Sequence, residues 1–441
     1  MCKHFRTLTA ALVLVLAGSR GPALAQSEET LKNYRAGEKA FQEGRFAEAE
    51  QLLTQVVKEA ESTVGGERFL VITLDRLAWT YMRRAKYAEA ETTSQRAIAV
   101  AEQAFGKDAQ RMAQVRNTLG AVYHHQGKYA DAEPVYRKAM ESMEQLGPEN
   151  PGVASYALNL AMLYAILGRY SEAEVLLLRS QAITEKFFGT DSKEFASRLH
   201  ALGEVYTRQA RYDVAENHFK RAVQIRERTL GDEHPTVAST LQDVAWNYRL
   251  MKRFAEAETA CLRAIEIAKK TVGQEHPDFA RFLFTLADIY RDQKRLDEAR
   301  ALYEQAMPTL EKTLGADHPR LTEVLDHFAQ NSLAQGKSDE ASLLAERALV
   351  AREKMIGKES PAVAESLATL GNVRTAQNKL AEALPLYERA LAIRQKVMGD
   401  SHPLVAETLE RFAECLRKAN RAAEAEPLEA RAKAIRAKHR E

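Results

Sequence analysis

Few residues of this sequence have the types and spacing that chemistry requires. His124 and His125 form the one pair that suggests a metal ion, and Asp326 and His327 form a similar adjacent pair. Adjacent residues on a helix point about 100° apart, so neither pair can share an ion well. The sequence also lacks a phosphate-cradling glycine loop, the H-E-x-x-H and G-x-S-x-G motifs, and any metal-binding cysteine spacing. We therefore predict that the protein is not an enzyme and that it binds no metal and no cofactor.

The glycines define how the chain is organised. From Gly147 onward they recur every 42 residues, and the two intervals before that are 41 residues. A second marker, the ring or apolar residue before an Ala-Glu-Ala-type segment, keeps the same step from Phe46 to Leu296. Self-similarity at this period is typical of a solenoid. The boundary glycines are Gly65, Gly106, Gly147, Gly189, Gly231, Gly273, Gly315, Gly357 and Gly399.

Each repeat contains two helical patterns. In the repeat that begins at Gly231, apolar residues recur at the spacing of one helix face, twice in succession. Pro235 suits the first turn of the first helix, and Gly273 suits the end of the second. Each repeat is therefore predicted to be an antiparallel helix hairpin that buries its apolar face against its neighbours. The two patterns are Leu241, Val244, Ala245, Tyr248 and then Ala257, Cys261, Ala264, Ile267.

These residues resemble the tetratricopeptide repeat (TPR). The 42-residue length, the His-Pro openings such as His234-Pro235, and the segment Ala132–Ala139 resemble the subtype found in kinesin light chains. The resemblance covers about residues 30–441. It implies an all-α fold, a right-handed superhelical solenoid of antiparallel hairpins, whose concave groove binds other proteins. The fold does not identify the partner.

The repeats abut without linkers, which predicts one solenoid. Residues 26–64 are an incomplete repeat and are predicted to form an N-terminal capping hairpin. Nine repeats of 41–43 residues follow at 65–441. Toward the C-terminus the tyrosine position becomes Ser332, Arg374 and Leu416, so we expect this third to be less stable. Pro308 lies inside a second helix, which predicts a kink or an early end there.

Residues 1–25 have the pattern of a secretory signal peptide. Lys3 and Arg6 precede an apolar run at 8–18, and Ala23–Ala25 is a small-x-small cleavage site. The run is too short for a membrane span. We expect export, to a periplasmic or secreted location. The alternatives are an uncleaved interfacial anchor and a cytoplasmic protein whose start is mistaken.

Removal of this leader changes the charge balance. The whole chain has 63 basic and 61 acidic residues, and Lys3, Arg6 and Arg20 leave with the leader. The mature chain therefore has 60 basic and 61 acidic residues, with the signs interleaved. A near-neutral body of this kind argues against nucleic-acid binding by phosphate neutralisation.

In a stacked array, the first helices line the concave surface. The residues opposite their core stripe are the peptide-contacting positions that the resemblance implies. Both tryptophans fall in one row of this groove, either as docking anchors or packed against the next first helix. The predicted groove residues are Asp75, Trp79, Met82, Asn117, His124, Leu158, Met162, His200, Gln242, Trp246, Arg249 and Phe284.

The last three repeats offer mostly acids and amides. The expected ligand is an extended or helical segment with apolar anchors and a basic end. The predicted function is an exported, non-catalytic adaptor. A self-assembling envelope scaffold and a cytosolic cargo adaptor of kinesin-light-chain type remain open as alternatives, and so does the oligomeric state.

Overall fold

The computed structural model describes residues 27–106 and 108–438, and these residues form 20 α-helices and no β-strand. No helix among them is long and apolar enough to cross a membrane. The predicted leader lies outside the described residues. The helices are α1 Glu28–Gln42, α2 Phe46–Glu61, α3 Glu67–Arg83, α4 Tyr87–Phe105, α5 Ala109–His125, α6 Tyr129–Glu144, α7 Pro151–Ile166, α8 Tyr170–Phe188, α9 Lys193–Arg208, α10 Tyr212–Leu230, α11 Pro235–Leu250, α12 Phe254–Thr271, α13 Pro277–Asp292, α14 Leu296–Leu314, α15 Pro319–Ala334, α16 Ser338–Ile356, α17 Pro361–Ala376, α18 Leu380–Met398, α19 Pro403–Lys418 and α20 Ala422–Lys438.

Consecutive helices pack as hairpins, with the odd-numbered helix first, as the repeat pattern predicts. The prediction of an all-α stack of antiparallel helix hairpins is therefore confirmed. The chain falls into two compact units, which we call unit 1 (27–119) and unit 2 (120–438). Their boundary lies inside α5, where the repeat pattern in the sequence shows no break.

The first helices begin at local sequence signals. Six of them start with proline, directly after a residue whose side chain accepts a hydrogen bond from the backbone N–H two positions on. Proline fits because the first N–H of a helix has no partner to lose. At His402 the acceptor is Nδ1, 3.1 Å from the Leu404 nitrogen. The six capping residues are Asn150, His234, His276, His318, Ser360 and His402.

The turn inside each hairpin needs a left-handed backbone. The residue two positions after the end of every first helix has a φ between 55° and 78°. Glycine takes this conformation without strain, but six hairpins use another residue there. Lys252 and Lys294 are two of these, so the turn itself tolerates a long side chain.

Pairs of large and small residues set the approach of the two helices in a hairpin. Gly203 on α9 faces the ring of Phe219 on α10, and a Cβ at Gly203 would lie 2.7 Å from the Phe219 ring. Gly120 faces Tyr136 in the same way, at 2.6 Å. Since both rings are buried, a missing methyl group is what lets the ring occupy the helix interface.

Neighbouring hairpins are joined by a repeated Tyr–Glu–Arg contact. The Tyr248 hydroxyl donates to the Glu216 carboxylate at 2.9 Å, and Arg253 reaches the same carboxylate at 2.6 Å. The Arg253 guanidinium also lies over the Tyr248 ring, 4.4 Å from its centre. In these hairpins the tyrosine that ends the apolar face of the first helix therefore packs its ring in the core and donates a hydrogen bond with its hydroxyl. The equivalent contacts join Tyr164, Glu133 and Arg169; Tyr206, Glu174 and Arg211; and Tyr290, Glu258 and Arg295.

The C-terminal hairpins replace this contact with others. Arg374 stands at the tyrosine position and pairs with Glu346 and with Glu382, at 2.9 Å for the latter. Leu416 is buried in an apolar cluster with Phe412. Lower stability of the C-terminal third stays a prediction, but polar and apolar substitutes occupy the places of the missing rings.

The predicted early end of a helix at Pro308 is wrong. Helix α14 runs through Pro308 to Leu314 and has the same 19 residues as α10 and α16. Pro308 is exposed, so water can reach the carbonyl that loses its N–H partner. The remaining hydrogen bonds and the packing of the buried face keep the helix continuous.

Candidate functional site

The first helices of unit 2 lie on its inner side. Each first helix from α7 to α17 contacts the first helix of the next hairpin as well as its own partner. Among the described residues, consecutive second helices contact each other less than consecutive first helices do. We call the accessible side of α7, α9, α11, α13, α15, α17 and α19 the first-helix face.

Unit 1 holds four of the predicted groove residues. Asp75 is buried, where Thr118 and Gln114 donate to its carboxylate at 2.6 and 3.0 Å, and burial raises its pKa. Trp79 is half-buried and donates its indole N–H to the Thr118 hydroxyl at 3.1 Å. Met82 is buried and Asn117 is half-buried. Trp79 therefore packs against the next first helix, α5, which is the second of the two roles that the sequence left open.

The N-terminal hairpins of unit 2 hold three more. Leu158 and Met162 on α7 are half-buried. The His124 ring lies edge-on to Tyr129, with ring centres 5.7 Å apart, and stacks on His125. Burial lowers the pKa of His124 to about 3, so the ring is neutral at physiological pH. Helix α7, the first helix of the first-helix face, has no charged residue.

On α9 and α11 the predicted polar residues pair across the hairpins. The His200 Nε2 atom lies 2.7 Å from Asp243, and Nδ1 lies 3.7 Å from Glu204. One ligand atom from each of these three residues falls within 4.8 Å of the others, an arrangement that could hold a metal ion. His200 already pairs with both carboxylates, and Arg208 pairs with Glu204, so we assign no metal to them. Gln242 similarly donates to Thr285 on α13, at 2.9 Å.

Trp246 is the most exposed aromatic side chain of the first-helix face, with 38% of its surface accessible. Leu250, one helical turn later, is also 38% accessible, so the two form one apolar patch. The guanidinium of Arg249 lies 4.7 Å from the centre of the Trp246 ring, and its Nε donates to Asp292 at 2.7 Å. Arg249 thus packs against the indole, and the accessible 38% of Trp246 is the part that a ligand could contact.

A buried carboxylate lies beside this patch. Asp288 is 1% exposed and receives hydrogen bonds from Tyr303 at 2.6 Å and His327 Nδ1 at 2.8 Å. Arg291 and Arg249 approach it at 3.1 and 3.4 Å. Burial alone would raise its pKa, but the surrounding cations hold that pKa well below its usual range.

The predicted groove residue Phe284 is buried beside this network. Its ring lies edge-on to the His327 imidazole, with centres 4.8 Å apart. Phe284 therefore packs against the polar network and presents little surface to a ligand.

The Asp288–His327 pair makes stability depend on pH. Burial would lower the pKa of His327, but the Asp288 carboxylate raises it above the ordinary value near 6.5. The protonated histidine therefore contributes stability that is fully present below pH 6.5 and is lost as pH rises through the higher folded-state pKa. The size of this pH dependence also depends on the charged groups near His327 and Asp288, which are Arg291, Glu323 and Glu365. Urea unfolding from pH 7 to 9 should show a decline for the natural chain that His327→Gln lacks; parallel curves for the two would contradict the assignment.

A second buried carboxylate lies one hairpin further on. Asp326 accepts from Ser366 at 2.7 Å and pairs with Arg352 at 2.8 Å, and Arg352 also pairs with Glu365 at 3.0 Å. Burial raises the pKa of Asp326 to about 6. Glu323, one turn before Asp326, is exposed and has no hydrogen bond or ion pair among the described residues. Around Arg352 there are thus three carboxylates, those of Glu323, Asp326 and Glu365, for one guanidinium.

The sequence did not reveal that polar residues of this face pair with each other. The links join first helices of adjacent hairpins, as between Asp288 and His327, which are 39 residues apart. Their signal is complementary side chains 39–43 positions apart, close to the repeat period. Tyr303 and Arg352, which lie on second helices and complete these networks, carried no sequence signal of that kind.

The sequence matches models of the Tetratricopeptide repeat over residues 71–108, 111–186, 194–270, 278–354 and 357–438. Each of the longer matches spans two hairpins, beginning in or just before a first helix. No curated protein matches the sequence.

Solved structures with similar folds include three of different origin. A putative kinesin light chain from Podosopora anserina, with nearly identical TPR-like repeats, is 27% identical; 45% of this chain and 94% of that chain are covered, with a TM-score of 0.39. BtubC (BKLC) from P. vanneervenii is 21% identical over 52% of this chain and 89% of its own, with a TM-score of 0.42. A Rap protein complexed with Competence and Sporulation Factor is 16% identical over 84% and 99%, with a TM-score of 0.54.

Proposed function

Because this chain belongs to the tetratricopeptide repeat family, we propose that it is an exported, non-catalytic adaptor that binds a segment of another protein on the first-helix face of unit 2. The family match confirms the resemblance that the repeat pattern predicts. Export rests on the leader pattern of residues 1–25. The repeats supply a surface for binding, which is what the family match supports.

The observation that carries the proposal is the exposure of Trp246. The Trp246 indole packs against Arg249 and keeps 38% of its surface accessible, so it can contact a ligand at little cost in side-chain entropy. Aromatic residues of this kind are enriched among the energetic centres of protein interfaces. The indole N–H of Trp79 is bonded to Thr118 within unit 1, so the proposal places its anchor at Trp246.

The chemistry of the face indicates what the segment should carry. Trp246 and Leu250 offer an apolar patch that suits an aliphatic or aromatic side chain. The unpaired carboxylate of Glu323, on α15, favours a lysine or arginine further along the segment. A solved Rap protein of similar fold carries Competence and Sporulation Factor, which is consistent with ligand binding by such a scaffold.

The test begins with a pull-down from the exported fraction of the source cell, using residues 26–441. The bound segment of the captured protein is then made as a synthetic peptide and titrated by isothermal titration calorimetry against the natural chain and each variant, since Trp246→Ala would remove a tryptophan fluorescence signal at this site. Truncating an interface centre costs about 2 kcal/mol or more, so Trp246→Ala should weaken binding roughly 30-fold or more. Its unfolding free energy should fall by less than the about 3–5 kcal/mol that a fully buried aromatic side chain costs, because 38% of the Trp246 surface is already accessible, and circular dichroism should show the variant folded.

The matched control is Val350→Ala, which removes an exposed apolar side chain from the second helix α16. It should leave binding unchanged. Equal binding by Trp246→Ala and the natural chain would move the site away from the first-helix face. If sedimentation shows self-association that rises with concentration and is the same in Trp246→Ala as in the natural chain, the scaffold alternative would be favoured. N-terminal sequencing of the protein from fractionated cells tests export, and an intact residue 1 in the cytoplasm would favour the cytosolic alternative.

A further inference from the structure

Two loops of unit 2 contact the starts of helices that lie more than five repeats further along the chain. The Nε2 atom of His402, just before α19, is 3.0 Å from the backbone oxygen of Ile166, at the end of α7. The two residues are 236 positions apart. At Gly127, in the turn after α5, a Cβ would lie 2.9 Å from Pro361 and 3.1 Å from the Ser360 hydroxyl. We call these two contacts, His402 with Ile166 and Gly127 with Ser360 and Pro361, the inter-turn contact.

The His402 hydrogen bond has a defined direction. Its Nδ1 accepts the Leu404 N–H and so carries no proton, which puts the proton of a neutral ring on Nε2. Nε2–H therefore donates to the Ile166 carbonyl. Ile166 ends α7, and carbonyls in the last turn of a helix have no partner within the helix. His402 satisfies one of them from another hairpin.

Glycine is required at this contact because residues of a distant hairpin lie close to it, and not because the hairpin turn itself needs glycine. A Cβ at Gly168 would lie 2.9 Å from the His402 ring. The same turn position holds Lys252 and Lys294 in other hairpins, at φ values of 60° and 65°. Gly336 occupies it in the α15–α16 hairpin, and a Cβ there would meet nothing within 4 Å. The absence of a side chain matters at Gly127 and Gly168 because another turn of the stack fills the space.

We propose that the inter-turn contact holds unit 2 as a closed superhelical turn, and that breaking it lets the turn open. Because the first helices lie on the inner side, a closed turn surrounds the first-helix face, and opening widens access to it. The proposal concerns the conformation of unit 2 alone and stands whether or not a segment binds at Trp246.

The test measures a distance across the contact. Spin labels at Ala130→Cys and Lys358→Cys occupy exposed positions on its two sides, while Cys261 and Cys415 are buried and stay unlabelled. Double electron–electron resonance on residues 26–441 should give one narrow, short distance. In Gly168→Lys the distribution should shift to longer distances and broaden.

Gly336→Lys is the matched control, because it places the same residue in the same backbone conformation where the space is open. It should leave the distance unchanged. A milder variant, His402→Asn, keeps a side chain that can cap α19 and removes the donor to Ile166, so it should produce part of the shift; His234→Asn makes the same change at another cap and should produce none. A long, broad distribution in the unsubstituted chain, or no shift in Gly168→Lys when circular dichroism shows it folded, would overturn the proposal.

Discussion

Replacing Asp288 by alanine should lower the free energy of unfolding of unit 2 by about 3–5 kcal/mol, since removing one partner of a buried ion pair leaves the other charges uncompensated. Asp288 is 1% exposed and is the common acceptor of Tyr303, His327 and Arg291. Alanine would leave the buried Tyr303 hydroxyl without its acceptor and would remove the buried counter-charge of His327 and Arg291, of which Arg291 keeps only the more distant Asp292, at 3.8 Å. The loss should therefore greatly exceed that expected from a single hydrogen bond.

The control, Asp292, lies on the same helix and pairs with two of the same cations, Arg249 and Arg291. Asp292 accepts from Arg249 at 2.7 Å, but its side chain is 35% exposed, so water can replace it. Asp292→Ala should cost less than about 1 kcal/mol. Urea unfolding gives both values, and hydrogen exchange of the amides of α13 and α15 shows whether the loss is local, since repeat arrays do not always unfold in one step. If Asp288→Ala costs no more than Asp292→Ala, the carboxylate is not the centre of the network.

The helices could be predicted closely because their determinants are local. A proline after a capping side chain marks the start of six first helices, and a boundary glycine follows the end of most second helices. These signals act within a few residues, so they can be read without knowing what packs against the helix. Pro308 was misjudged for the same reason. Its effect depends on which side of the helix faces solvent, and the local rule does not include that.

The exposure of the groove residues depended on side chains about one repeat away. Trp79 and Trp246 stand in the same row, yet Trp79 is tied to Thr118 while Trp246 is open. Thr285 is the counterpart of Thr118, but its hydroxyl receives the amide of Gln242 where Thr118 donates to Asp75. The different partner at that position decides whether the hydroxyl is available to the indole. The difference between Trp79 and Trp246 could not be predicted from the one row of groove positions that contains both.

The inter-turn contact could not be predicted from the sequence. It depends on small rotations between hairpins that add up over more than five repeats, and the sequence specifies each of them only through its packing. Gly127 and Gly168 gave no distinct signal, because Gly336 has the same place in its hairpin and meets nothing. Only the assembled turn distinguishes these glycines.

Replacing Phe219 by alanine should cost about 3–5 kcal/mol, in the upper part of the range for buried side chains. The ring is 1% exposed, and the residue that faces it, Gly203, has no side chain that could move into the cavity. The converse change, Gly203→Ala, puts a methyl group 2.7 Å from the ring and should cost about 1–3 kcal/mol by overpacking. Both values come from urea unfolding of residues 26–441.

The neighbouring repeat supplies the compensating pair. At the same two positions it has Ala161 and Leu177, both fully buried. Gly203→Ala combined with Phe219→Leu should therefore recover most of the loss caused by Gly203→Ala, because the smaller side chain makes room for the new methyl group. If the combined variant loses the sum of the two single losses, the two positions do not interact, and the spacing of these helices is set elsewhere. Recovery would mean that each repeat fixes the approach of its two helices through one large–small pair, which the sequence can vary without changing the stack.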